Sequence, residues 1–565
     1  MRLSIAALIL SLTAACAAGG RPPAGGWVDA TAKGPSALIE AYIDWVLEEE
    51  PGRARSLGLH QADGRVAEIG PAASARRVER ARAYLAEIDK VELAALPDPL
   101  RLDLEITRLH AEQTVFLTIE LELDRRILTY SDLFDVNGYI AREYAPLDTR
   151  VAALLDHLEA ATAAVDAALA MQLPAQPRTH LETAKKSLAG MHEFFDHDVR
   201  TAAQPILQPG LALSARFDRV IAAAHQAVDK MIAWIDGPGM KNANDDFAIG
   251  EKRFLELLRV NEGLRLGLPE LRAMAQQDLE RNQRAFVETA RAIYPELPPM
   301  QAAEKVAAEK LDFDRALKTA EQHLGELSTF IAANDVISLF EDQKATVKIS
   351  PPFMRWNSAF LDMSGPFEKA PAAFYFISPP DPSWSKETQT AYLPFEADLF
   401  ATSVHEVYPG HFVQGLHQNR APTRAQKIFS SYAFVEGWAH YTEEMVFEAG
   451  LAKGDAKRRL GQLSNALLRN CRFVAALGLH TGGMKVAEAN QLFREQCYID
   501  PGNAEQQAYR GTFDPGYLSY TLGKLQIYEL RKKFFERKKT QSFRAFHDWL
   551  LSFGAPPIAL IEARL

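Results

Sequence analysis

Two histidines set six residues apart constrain this chain more than any other feature. The segment His405-Glu406-Val407-Tyr408-Pro409-Gly410-His411 puts two imidazoles and a carboxylate in one short stretch. Neutral imidazole is a good ligand for zinc, and a carboxylate beside the first ligand can take a proton from an attacking water. The usual zinc-protease spacing is His-Glu-x-x-His, whose ligands lie roughly 40° apart around an α-helix. Six residues on a straight helix leave roughly 120° between them. One metal can be shared only if the helix is deformed between the histidines. Pro409 and Gly410, the residue types best able to distort a helix, fall in that interval.

A catalytic zinc site needs three protein ligands and one open position. The third should come from a second element, and Val435-Glu436-Gly437-Trp438-Ala439-His440-Tyr441-Thr442-Glu443 offers Glu436, 25 residues beyond His411. A short loop around Pro422 would let two antiparallel helices return Glu436 to the histidines. His440 and Glu443 follow at i+4 and i+7, on nearly the same face. Ligating histidines usually donate their other ring N–H to a carboxylate or carbonyl. Glu443 suits that supporting role, and His440 a contact with water or substrate.

Elsewhere the chain reads as helix. Apolar residues recur at three- and four-residue spacing over Ser36 to Glu50, Ala75 to Leu93, Leu100 to Leu123, Val151 to Met171, Ser214 to Ile235 and Leu268 to Ile293. The texture changes between Ile349 and Trp384, which holds seven prolines and the best strand candidate, Ala372 to Ile377. Helical patterning resumes near Leu393 and recurs at Ser430 to Phe447, Lys457 to Ala476, Val486 to Gln496, Leu518 to Arg537 and Phe543 to Leu551. The expectation is a mainly α protein with a small β element beside the motif helix. An N-terminal helical lobe (36–345) and a helical catalytic lobe (346–565) would meet at a seam. At 47% hydrophobic residues, 565 residues suffice for so large a core, and a net charge of −10 with no basic stripe excludes a nucleic-acid footprint.

Arg2 followed by an apolar run from Leu3 to Ala15 is too short to span a bilayer and reads as a secretion signal (1–16), with a leader over 17–35. Leu12-Thr13-Ala14-Ala15-Cys16 resembles a bacterial lipoprotein box with Thr13 in place of the preferred Leu; ordinary cleavage at the small residues is the alternative. A lipidated Cys16 would attach the chain to a bacterial membrane, and either route places it outside the cytoplasm. Cys471 and Cys497 could pair there or remain buried thiols.

The block from His405 to Gln414, with Glu436-Gly-Trp-Ala-His-Tyr-Thr-Glu443, closely resembles the bacterial domain-of-unknown-function 885 family, itself similar to helical zinc metallopeptidases whose third ligand is a glutamate. The resemblance runs from about residue 36 to the C-terminus. It includes Leu479-His480, Gly482-Gly483, Arg510 and Asp514-Pro-Gly-Tyr517-Leu-Ser-Tyr520-Thr-Leu-Gly523-Lys-Leu525. Relatives carry an Asp shortly before the histidine matching His480, where this chain has Ala476, so a His480 role needing that partner does not carry over.

The resemblance implies a large metallopeptidase-like fold with a deep central cleft, one Zn2+ per chain on His405, His411 and Glu436, and Glu406 as general base. The residue chemistry alone gives the same assignment. Tyr520, then Tyr517, are candidates for the electrophile that a tetrahedral oxyanion needs besides the metal, with His480 and Arg510 behind them. Packing is the competing role for both tyrosines, and an ion pair for Arg510, which otherwise suits a substrate carboxylate. The strand at 372–377, through Phe374 and Tyr375, could bind an extended peptide by edge pairing. Hydrolysis of peptide bonds is the expected activity. A metal-containing binding protein without turnover, or a hydrolase of non-peptide amides or esters, would use the same residues.

Overall fold

The computed structural model describes residues 34–340, 343–350, 355, 358–369 and 371–565. The signal, the lipidation box and all but the end of the leader lie outside the described residues. Among the described residues the protein is mainly helical, with one three-stranded sheet. Most of the helices read from periodicity are present, such as Pro35–Glu49, Asp98–Ile119 and Val486–Gln496. Helices at Arg178–Glu193 and Gly250–Glu262 join them.

Eight helices build the surroundings of the motif: α1 (Leu268–Ile293), α2 (Phe313–Ala333), α3 (Glu396–Glu406), α4 (His411–Asn419), α5 (Tyr432–Glu448), α6 (Ala456–Thr481), α7 (Pro501–Phe513) and α8 (Ser519–Lys538). The strands are β1 (Thr346–Ile349), β2 (Ala359–Met363) and β3 (Ala373–Ile377). Their order is β1-β3-β2, with β3 parallel to β1 and antiparallel to β2.

The cores do not part at residue 345. One joins α1 to α6 through Leu271, Leu279 and Phe286 against Leu463, Leu467 and Phe473. Another joins Leu327 and Ile331 of α2 to Phe400, Val404, Phe412, Trp438 and Ile527. Each such side chain, fully buried, contributes about 1.5–3 kcal/mol, so packing across the proline-rich segment is cohesive. A third core, with Val151, Leu154, Leu181 and Phe217, lies wholly in the N-terminal half. Cys471 and Cys497 form a disulfide that ties α6 to the end of the Val486–Gln496 helix.

α5 and α8 cross with their backbones in contact. A Cβ on Gly437 would lie 2.5 Å from the Gly523 Cα, and one on Gly523 would lie 1.8 Å from the Ala433 carbonyl oxygen. Only glycine fits at either position. This crossing sets Tyr520 of α8 beside Tyr432 of α5, with ring centroids 5.8 Å apart.

A candidate metal centre

The interval between the two histidines ends one helix and begins another. α3 stops at Glu406, and Val407 leaves helical geometry at φ −120°, ψ −78°. The N–H groups of Val407 and Tyr408 both donate to the Ser403 carbonyl, and that of Gly410 to Val404, so these two carbonyls of the last turn of α3 are satisfied inside the turn. α4 then starts at His411, where Gln414 N–H donates to the Gly410 carbonyl. A Cβ on Gly410 would sit 1.8 Å from the His405 carbonyl oxygen, which makes glycine obligatory there. The Pro409 carbonyl accepts the Trp438 indole N–H at 3.0 Å, fastening the turn to the helix that carries Glu436. The expected deformation is therefore a full stop and restart.

The result brings His405 and His411 together, ring centroids 4.7 Å apart and planes at 84°. Glu436 Oε2 lies 3.5 Å from His405 Nε2 and 3.5 Å from His411 Nε2. The three ligand atoms fall within 4.8 Å of one another. Side-chain exposures of 9%, 18% and 20% leave the group open to a small solute while excluding most bulk water.

Two observations test whether these residues suit a metal. Glu436 Oε2 is buried yet has no hydrogen-bond partner among the described residues, a costly state for a carboxylate oxygen. His405 Nδ1 lies 2.7 Å from Glu443 Oε1, which places the ring proton on Nδ1 and turns the Nε2 lone pair toward His411 and Glu436. Two imidazole nitrogens and one carboxylate oxygen, one imidazole braced from behind, fit zinc.

The carboxylates and imidazoles of the cluster shift one another's titration. Burial alone would lower the His405 pKa, but the Glu436 and Glu443 carboxylates outweigh it and push it up to about 9. Burial would raise the Glu436 carboxyl, yet His411 and His405 hold it well below the usual range. Burial acts the same way on Glu443, and Arg469 and His440 hold it low.

Glu406, the expected base, accepts the Leu361 N–H of β2 through Oε2 at 3.2 Å. Glu443 occupies its expected place behind His405, and His440 stands behind Glu443 with Nδ1 at 3.4 Å from Oε2. His440 is fully buried, so it makes no contact with bulk water or substrate. Its pKa falls to about 4, chiefly through burial.

Several expected participants lie elsewhere. Tyr517 is fully buried, in the core that joins α1 to α6, and its hydroxyl presses against Gly511. His480 is 1% exposed, bonds the Gly511 carbonyl at 2.7 Å and packs against Phe247 and Phe254. Both are core residues: α6 continues past Ala476 to Thr481 and carries His480 into the interior, and the 3-10 turn Pro515–Leu518 buries Tyr517. β3 is the central strand, so the Phe374–Tyr375 backbone already pairs on both sides and has no edge to offer. Tyr375 is buried with its hydroxyl 3.3 Å from Ser403 Oγ of α3, and Lys348 Nζ lies 3.9 Å from the Phe374 ring centroid.

Tyr520 does lie at the centre's margin, surrounded by Arg469, Arg472, Arg510 and Tyr432. Arg510 pairs with Asp514 at 2.9 Å and donates to the Tyr432 hydroxyl at 2.9 Å. Tyr432, Arg469 and Arg472 escaped the sequence reading. Their signals were available: Tyr432 precedes Glu436 by four residues on the same face, and the two arginines sit three apart in the stretch from Ala466 to Leu479, which is otherwise apolar but for Asn470.

Fold and site together define a mainly helical protein with a two-histidine, one-glutamate centre. The chain belongs to the family described as "Bacterial protein of unknown function (DUF885)", whose model matches residues 51–565. A solved structure from Shewanella oneidensis, described as a candidate lipoprotein of unknown function, is 23% identical with a TM-score of 0.78, covering 94% of this chain and 99% of that one. Another candidate lipoprotein, from Colwellia psychrerythraea, is 18% identical with a TM-score of 0.78, covering 94% and 98%. No curated protein matches the chain.

Proposed function

We propose that this protein is an exported, zinc-dependent peptidase. The observation that carries the reading is the convergence of His405 Nε2, His411 Nε2 and the unpartnered Glu436 Oε2, with Glu406 next to the first ligand. Zinc held there supplies a Lewis acid that polarises a carbonyl and makes water a better nucleophile near neutral pH. Glu406, steadied by Leu361 N–H, accepts the proton of the attacking water and returns it to the leaving amine. The Tyr520 and Tyr432 hydroxyls are the nearby donors suited to a developing oxyanion.

β2 is the strand suited to an extended substrate. Ser378 N–H donates to Ser358 O and Ser364 N–H to Ala372 O, so even-numbered residues of this stretch bond β3. The backbone groups of Ala359 and Leu361 turn outward, and Leu361 already reaches Glu406. Main-chain pairing along this edge would lay a peptide across the centre.

Export is supported by the Cys16 box, by the similar structures described as candidate lipoproteins, and by a disulfide suited to an oxidising compartment. Attachment to the membrane through lipidated Cys16 is part of the proposal, and fatty-acid labelling of the wild type and Cys16→Ala tests it.

Elemental analysis should find about one zinc per chain in the wild type and none in His405→Ala. Peptide-library digestion read by mass spectrometry should show metal-dependent cleavage, lost in a Glu406→Gln protein that keeps its zinc. Equal metal in wild type and His405→Ala, or an active Glu406→Gln protein, overturns the proposal.

A further inference from the structure

One side of the metal centre carries a surplus of buried positive charge. α6 presents Arg469 and Arg472, and α7 presents Arg510, with guanidinium carbons 5.6, 4.8 and 5.9 Å from the Tyr520 ring centroid. Two of these arginines are balanced. Arg469 pairs with Glu443 at 3.0 Å and Arg510 with Asp514 at 2.9 Å. Arg472 is not: its Nε donates to the neutral Gln507 Oε1 at 2.8 Å, and no carboxylate among the described residues pairs with it. Yet the residue is only 8% exposed. A buried guanidinium without a counter-charge is costly, and a protein keeps one where a ligand supplies the missing anion.

The cluster adjoins the triad. Tyr432, whose hydroxyl accepts from Arg510, sits one turn before Glu436 on α5, and Arg469 Nη2 lies 3.3 Å from His405 Nδ1. Arg510 keeps 31% of its side chain exposed, so the cluster is open on that side. The single unbalanced guanidinium matches one negative charge, and its planar fork matches a carboxylate.

We propose that Arg472, assisted by Arg510, binds the α-carboxylate of a peptide substrate, so that the enzyme acts at the carboxy-terminal end of short peptides. This rests on the peptidase reading, and names the substrate class for the same centre.

The test uses zinc-loaded Glu406→Gln protein, which should bind without cutting. Calorimetry compares three N-acetylated tetrapeptides: a free acid, its C-terminal amide, and an amide ending in Glu. The free acid should bind at least about tenfold more tightly than its amide, about 1.4 kcal/mol. Adding Arg472→Gln, with zinc content and circular dichroism unchanged, should bring that ratio close to one, and Arg472→Lys should restore part of it. Equal affinity for acid and amide overturns the inference without any arginine variant, as does a ratio that survives Arg472→Gln. Tight binding of the amide ending in Glu would assign the cluster to a side-chain carboxylate and overturn it too. Binding is read apart from turnover, so a wild type that cuts no peptide would sink the peptidase reading while the carboxylate preference is judged separately.

Discussion

Gly437 and Gly523 meet across α5 and α8 with no side chain between them, a Cβ on the first falling 2.5 Å from the Cα of the second. Each glycine lies inside a block that also holds chemistry: Gly437 follows Glu436, and Gly523 comes one turn after Tyr520. Two stretches distant in sequence thus share one site because their backbones can touch.

Gly437→Ala and Gly523→Ala should each destabilise the protein by about 2–3 kcal/mol, because an added methyl meets backbone rather than a yielding side chain. Gly325→Ala is the contrast: this mid-helix glycine of α2 faces open space, and the change should stabilise by about 0.5–1 kcal/mol. Urea midpoints decide. Equal effects at Gly437 and Gly325 would deny that the crossing is tight.

Gly410→Ala should lose zinc while Gly325→Ala keeps it. A Cβ at 410 collides with the His405 carbonyl, so the turn must open and His411 must swing away from His405. Zinc content after gel filtration is the measurement, and a fully loaded Gly410→Ala protein would refute the role given to the turn.

Glu443→Gln should weaken zinc binding by about 10–100-fold, read by competition with a chromogenic chelator. The amide replaces the carboxylate that holds the Nδ1 proton of His405 at 2.7 Å, so the ring loses basicity and orientation. Unchanged affinity would mean that Glu443 serves only the pairing with Arg469.

Glu262 makes stability depend on pH from outside the metal centre. Burial raises its pKa from 4.5 to about 7, against the opposing hydrogen bonds from Ser431 and Ala433 N–H at the start of α5. Between these values the folded state holds a proton that the unfolded state has released. Stability therefore falls as pH rises through that window, and the whole cost is present above it. Glu262→Gln should raise stability on the order of 2 kcal/mol at pH 8 and converge on wild type near pH 4.5. A constant difference at both pH values would exclude this linkage.

Local chemistry explains what was legible beforehand. Helical periodicity is a property of neighbouring residues, so α5, α8 and the helices at Val486–Gln496 and Phe543–Leu551 were readable to within a few residues; α6 runs on past its expected end to Thr481, and α7 was not read as a helix. The candidate ligand set was legible for the same reason, since His405, Glu406 and His411 lie in one segment and Glu436 and Glu443 share one helix face. Strand β3 was recognisable from its aromatic and β-branched run, but its place in the sheet was not. Whether a strand is central or at an edge depends on its pairing with β1 and β2, which the residues of β3 do not specify.

By itself the sequence determined the helical character of the chain, the residues able to hold a metal, and the need for a break between His405 and His411. Only the tertiary structure decided how that break is made, that Tyr517 and His480 are packed into the core, and that Arg472 stands without a counter-charge beside Tyr520. The physical reason is range. Periodicity and ligand spacing act over a few residues, whereas burial and charge balance are set by helices that meet from distant parts of the chain.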